Sequence, residues 1–105
     1  MYSKFIKAIV WIQEKDQKVP YVSKVYGEYS VRKDETIKYE DKWVITHNAS
    51  GLSVRRKRLK KDAELLCMEL EDTMTCTWDG KGGSYDVPDD FRDELRDILQ
   101  QHNGY

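Results

Sequence analysis

The residues whose types could carry chemistry are few and scattered. His47, His102, Cys67 and Cys76 are the only soft metal-ligand types, and no pair has the close spacing of a zinc site. Asp79-Gly80-Lys81-Gly82-Gly83-Ser84 has the composition of a phosphate loop. A P-loop needs Gly-x-x-x-x-Gly-Lys-Ser/Thr between a strand and a helix, whereas this segment joins two predicted helices. No Gly-x-Ser-x-Gly motif occurs, and no Cys has a partnered His. Asp89, Asp90, Asp93, Glu94 and Asp97 form a carboxylate face around one helical segment. Paired acids can bind metal or do acid–base work, but in a small domain they ordinarily face water. The chain reads as a non-enzyme with no metal and no cofactor, and its candidate sites are charged surfaces.

The strongest of these is a split in charge. The 18 Lys and Arg against 19 Asp and Glu leave a formal charge of −1. Residues 1–61 nevertheless carry 15 basic against 7 acidic side chains, and residues 62–105 carry 3 against 12. The halves meet at Arg55-Arg56-Lys57-Arg58-Leu59-Lys60-Lys61. Six positive charges within seven residues repel one another, and in sequence only Asp62 and Glu64 stand near enough to offset them. Arg55, Arg56, Lys57, Arg58, Lys60 and Lys61 are thus candidates for phosphates or for an acidic partner, with Tyr26, Tyr29, Tyr39 or Trp43 available for stacking. Asp89, Asp90, Asp93, Glu94 and Asp97 are candidates for a basic partner surface. A basic sheet can also simply attract its own acidic helices, and lysine-rich strands protect sheet edges.

These charges must be positioned by the elements that the hydrophobic pattern predicts. Residues 4–12 read as a strand, 14–18 as a hairpin loop, and Val19 to Val31 as one long alternating strand in which Gly27 marks a bulge or bend. Arg32 to Glu35 reads as a charged turn. Thr36–Tyr39 and Lys42–His47 read as short strands, and Leu52–Arg56 returns from a turn at Asn48–Gly51. From about Lys60 the period changes: Ala63, Leu66, Cys67, Leu70 and Met74 recur at helical steps, with Asp62 and Glu64 in the first turn. That helix is expected to include both cysteines and to decay near Trp78. Pro88 with Asp89 and Asp90 opens a second helix, with a stripe of Phe91, Leu95, Ile98 and Leu99, ending at Gly104. The expected architecture is α+β: an antiparallel sheet of four to five strands in two hairpins, followed by two helices packed on one face. It forms a single domain, residues 1–105, with a basic β part (1–59) and an acidic helical part (60–105). Trp11, Trp43 and Trp78 are each expected in or at the edge of the core, and His47 as a turn-capping or packing residue.

At 105 residues the chain is one domain, too apolar and aromatic for disorder, and without the run of about 18 apolar residues that a spanning helix needs. The stretch from Phe5 to Ile12 is too short and too interrupted for a secretory signal, so the chain is expected in the cytoplasm and no membrane partner is expected.

Lys42-Trp43-Val44-Ile45-Thr46-His47-Asn48-Ala49-Ser50-Gly51-Leu52, followed by Leu59-Lys60-Lys61-Asp62-Ala63, resembles two groups. One is a class of small phage-encoded accessory proteins with a Trp-x-x-Thr-His-x-x-Ser/Thr-Gly hairpin and a Lys-Lys-x-Ala helix start. The other is the three-stranded-sheet-plus-helix DNA-binding domain of tyrosine recombinases, matched over residues 42–66. The second resemblance implies that Arg55, Arg56, Lys57 and Arg58 lie near a DNA-facing strand. The chain departs from it in an extra N-terminal hairpin and an extra acidic C-terminal helix. In size and charge style the chain is also similar to anti-CRISPR proteins, which bind an effector or mimic its nucleic acid. The expected function is a phage-type inhibitor of a host protein or nucleoprotein complex, such as a CRISPR effector. Direct DNA or RNA binding through residues 55–61 is the alternative, and a structural or assembly protein, including a homodimer, is the third.

Overall fold

The computed structural model describes residues 5–35 and 40–101. Five antiparallel strands lie side by side in chain order: β1 (Ile6–Glu14), β2 (Gln17–Tyr26), β3 (Tyr29–Lys33), β4 (Trp43–His47) and β5 (Leu52–Lys57). Two helices follow, α1 (Lys60–Thr73) and α2 (Asp89–Gln101), with a short 3-10 turn at Gly83–Tyr85 between them. The sheet-then-helices order is the α+β arrangement expected from the sequence.

Several boundaries differ from those expected. The first hairpin turns tightly, with Glu14 opposite Gln17, so the loop is only Lys15-Asp16. The expected strand from Val19 to Val31 is two strands, because Tyr26 pairs with Tyr29 across Gly27-Glu28. Gly27 is therefore a hairpin-turn residue at φ +63°, a first-position conformation that glycine adopts without steric cost. The Glu71 carboxylate of α1 fixes this turn by accepting the Glu28 N–H at 2.9 Å. Arg32 and Lys33 belong to β3 rather than to a turn. The expected strand at 36–39 and the helix end at Gly104 lie outside the described residues. Finally, α1 stops at Thr73, with Met74 already extended at ψ 130°, so Cys76 lies beyond the helix that holds Cys67.

Cross-strand neighbours share a sheet face. Tyr29, Val31 and Ile45 point to the outer face, where α1 buries them under Ala63, Leu66, Cys67 and Leu70. Full burial of each such leucine stabilises by roughly 1.5–3 kcal/mol. Ile98 of α2 joins the same core. The inner face is also buried: Val10, Ile12, Ser23, Ser30, Val44 and Thr46 are all nearly inaccessible. The sheet curls until β1 meets the β4–β5 hairpin, where the Gln13 N–H donates to the Gly51 carbonyl at 2.9 Å. A Cβ on Gly51 would press into the backbone of Trp11 and Gln13. A bulge leaves Val54 without a cross-strand partner, since Ile45 faces Arg55 and Thr46 faces Ser53.

Candidate functional site: a lysine-lined sheet face

Strand alternation and the start of α1 disperse the basic run. Arg55 and Lys57 face the same side as Ile45 and Trp43, their cross-strand neighbours, and Lys57 is only 8% exposed. Arg56 points to the other face, where its Nη2 lies 3.2 Å from Asp34 Oδ2. Arg58 reaches Glu40 at 3.0 Å. The run's charges are thus offset by Asp34 and Glu40, residues distant in sequence. Lys60 and Lys61 stand exposed on the first turn of α1. Strand alternation and the helix start send the members of the run in different directions, so they do not form one continuous strip.

The stacking and acidic candidates are also redistributed. Tyr29 is 2% exposed, and burial pushes its hydroxyl well above the ordinary tyrosine pKa. Tyr26 packs on Phe5 and donates to Asp72 at 3.1 Å, while Tyr39 lies outside the described residues. Asp89, Asp90, Asp93 and Asp97 remain exposed on α2. Arg92 pairs with Asp89 and Arg96 with Asp93 one turn apart, which weakens the negative field of that face. Glu94 faces inward instead. Its carboxylate accepts from the backbone N–H groups of Thr75 at 2.9 Å and Cys76 at 2.8 Å, and from the Thr75 hydroxyl. These donors hold its pKa down at about 2, so it is a structural anchor for the chain leaving α1.

A different surface brings cations and aromatic rings together. On the outer face of the β1–β2 hairpin, Lys7 stands opposite Lys24, Ile9 opposite Val22 and Trp11 opposite Pro20. The same face continues through Lys33, opposite Trp43. Helix α1 leaves these side chains uncovered: Ile9 is 62%, Val22 58% and Trp11 54% exposed, so Trp11 is not the semi-buried packing residue expected. Lys33 and Lys60 place their ammonium groups 5.9 Å from the Trp43 ring centre on β4. Lys7, Lys24, Lys33 and Lys60 border a groove of about 220 Å³ that Val22 and Trp43 help to line.

One carboxylate, Glu64, enters this groove. It lies 3.9 Å from Lys24 Nζ and 4.0 Å from Lys60 Nζ. Close approach of Lys60 nonetheless holds the Lys24 ammonium below the ordinary lysine pKa, with Lys7 adding to the effect. Positive charge is therefore in excess here, and an anion would relieve it. The groove is smaller than the roughly 300–1,000 Å³ of small-molecule sites. Val22 at its edge stands opposite the exposed Ile9, with exposed Trp11 two residues further along β1, which suits an extended ligand better than a compact one.

Of the expected site residues that the structure describes, Lys60 and Trp43 line this groove. Lys7, Trp11 and Lys24 were legible on one face through period-two alternation along 7–11 and 18–24, once a two-residue turn fixes the register, whereas Lys33, expected in a turn, and Trp43 join them only through the β3–β4 pairing. No protein-family model matches the chain, and neither a curated protein nor a solved structure is significantly similar to it.

Proposed function

We propose that this protein is a non-enzymatic binding protein whose lysine-lined sheet face holds the phosphate backbone of a nucleic acid. The observation that carries the reading is the convergence of Lys7, Lys24, Lys33 and Lys60 around Trp43 with only Glu64 among them. Lysines neutralise phosphates and release condensed counterions, and aromatic rings on the same face accept bases. This keeps the nucleic-acid alternative drawn from the sequence but moves its site from residues 55–61 to the β1–β2–β3 face.

A binding titration across a salt series tests it. Four neutralised phosphates give a log–log slope of about −3 for a single strand. Absence of binding at low salt, or a slope near zero, contradicts the proposal.

The second reading is a phage-type inhibitor that presents α2 acids in place of phosphates to a nucleic-acid-handling complex. It draws on the exposure of Asp89, Asp90, Asp93 and Asp97. Arg92 and Arg96 on the same helix count against it.

A further inference from the structure

We infer that the ligand of this face is a single strand, its bases laid on the Trp11–Ile9–Val22–Trp43 surface and its phosphates on the flanking lysines. The inference rests on the nucleic-acid reading above and deepens it. A duplex presents phosphates and sugars outward and keeps its bases stacked within. Against a duplex, the exposed Trp11, Ile9 and Val22 would lose water and gain only polar neighbours, which is unfavourable.

A single strand offers an apolar ring face at every nucleotide, and stacking on aromatic side chains tolerates any base. The geometry suits this. Trp11 sits on β1 and Trp43 on β4, with β2 and β3 between them in the curved sheet. Ile9 and Val22, directly opposite each other on β1 and β2, fill part of the interval, and Lys33 of β3, opposite Trp43, stands in the rest. Lys7 and Lys24 border one side of this apolar path, and Lys18 lies opposite Gln13 at its far end. Among the described residues of β1 and β2 on this face no carboxylate interrupts it, because Glu14 points to the other side and accepts from the Tyr21 hydroxyl at 2.6 Å. An acidic peptide would satisfy the lysines but would leave the path without a ring to cover it.

The test uses the full-length protein with an oligo(dT) strand, a mixed-sequence duplex of equal length, and poly-glutamate, read by anisotropy and by tryptophan fluorescence. The account predicts that oligo(dT) binds at least tenfold tighter than the duplex or poly-glutamate and quenches the fluorescence. Trp11→Ala, at an exposed position that leaves folding intact, is predicted to weaken oligo(dT) binding by about tenfold without changing its salt slope. Lys24→Gln with Lys33→Gln is predicted to weaken binding and flatten the slope, each lysine contributing about 0.7. Duplex bound as tightly as oligo(dT), without quenching, overturns the single-strand inference and leaves the nucleic-acid reading standing. Poly-glutamate bound most tightly, or no binding to either nucleic acid, overturns both.

Discussion

The imidazole of His47 lies parallel to the indole of Trp78, with ring centres 5.4 Å apart and planes 3° from parallel. Phe91 of α2 meets the same imidazole edge-on, and His47 Nδ1 lies 2.9 Å from Ser50 Oγ. His47 thus joins β4, the segment after α1, and α2 in one buried ring cluster. Burial holds its pKa below the ordinary 6.5, so the folded state favours the neutral ring.

A depressed histidine pKa gives stability a definite pH dependence. Below about pH 6.5 the unfolded chain takes up a proton that the folded chain refuses, so stability falls as the pH drops from there toward the folded pKa. Above that range this contribution is complete. Urea midpoints from pH 7.5 to 5.5 are expected to decline, and His47→Phe, which keeps a ring in the cluster, is expected to flatten the decline. An unchanged slope in the variant would assign the effect to other groups.

Glu94 acts in a separate window. Its pKa, held at about 2 by the Cys76 and Thr75 N–H donors, means that its contribution is present above the ordinary carboxylate value and is lost as the pH falls from about 4.5 to about 2. Glu94→Ala removes the acceptor from both amides and loosens α2 from the end of α1. Hydrogen exchange is expected to speed at Thr75 and Cys76 and along α2, with the β4 amides unchanged. Equal acceleration throughout would mean global destabilisation instead.

Gly27 carries two demands at once. Its φ of +63° disfavours any side chain, and a Cβ there would overlap the Glu71 carboxylate that accepts the Glu28 N–H. Gly27→Ala is expected to destabilise the fold by about 1–2 kcal/mol through the left-handed backbone alone. Glu71→Ala in the same background tests the second part: it should recover some of the loss if the overlap contributes. Equal stability of Gly27→Ala and the parent protein, by denaturant melt, would contradict both.

The acids of α2 separate the two functional readings. Asp90→Asn with Asp97→Asn removes two exposed carboxylates that do not line the Lys24 groove. If the sheet face is the site, oligonucleotide affinity stays within about twofold or rises slightly as net charge becomes more positive. A loss of binding to a basic protein partner in the same variant would instead support phosphate mimicry.

The helices and the two later strands were legible because their signals are local. Ala63, Leu66 and Leu70 mark a buried stripe by spacing alone, and Pro88 with two following acids marks a helix start. Gly27 was ambiguous because a bulge and a two-residue turn ask the same of a glycine. Burial of Ser23, Ser30 and Thr46 was not legible at all, since it follows from the sheet closing on itself at Gln13 and Gly51, a contact between residues far apart in sequence. The dispersal of the run 55–61 was hidden for the same reason. Its density of charge is a sequence fact, while Asp34 and Glu40 reach it only through the fold.

The measurement that tests the central claim most directly compares two charge-altered proteins for oligo(dT) affinity at low salt. One carries Lys7→Glu, Lys24→Glu and Lys33→Glu on the sheet face; the other carries Arg58→Glu and Lys61→Glu in the basic run, and both are checked for folding by circular dichroism. The account predicts that the first loses binding by a hundredfold or more, while the second stays within about threefold of the parent protein. Loss in the second with retention in the first would place the site in the run and contradict the account.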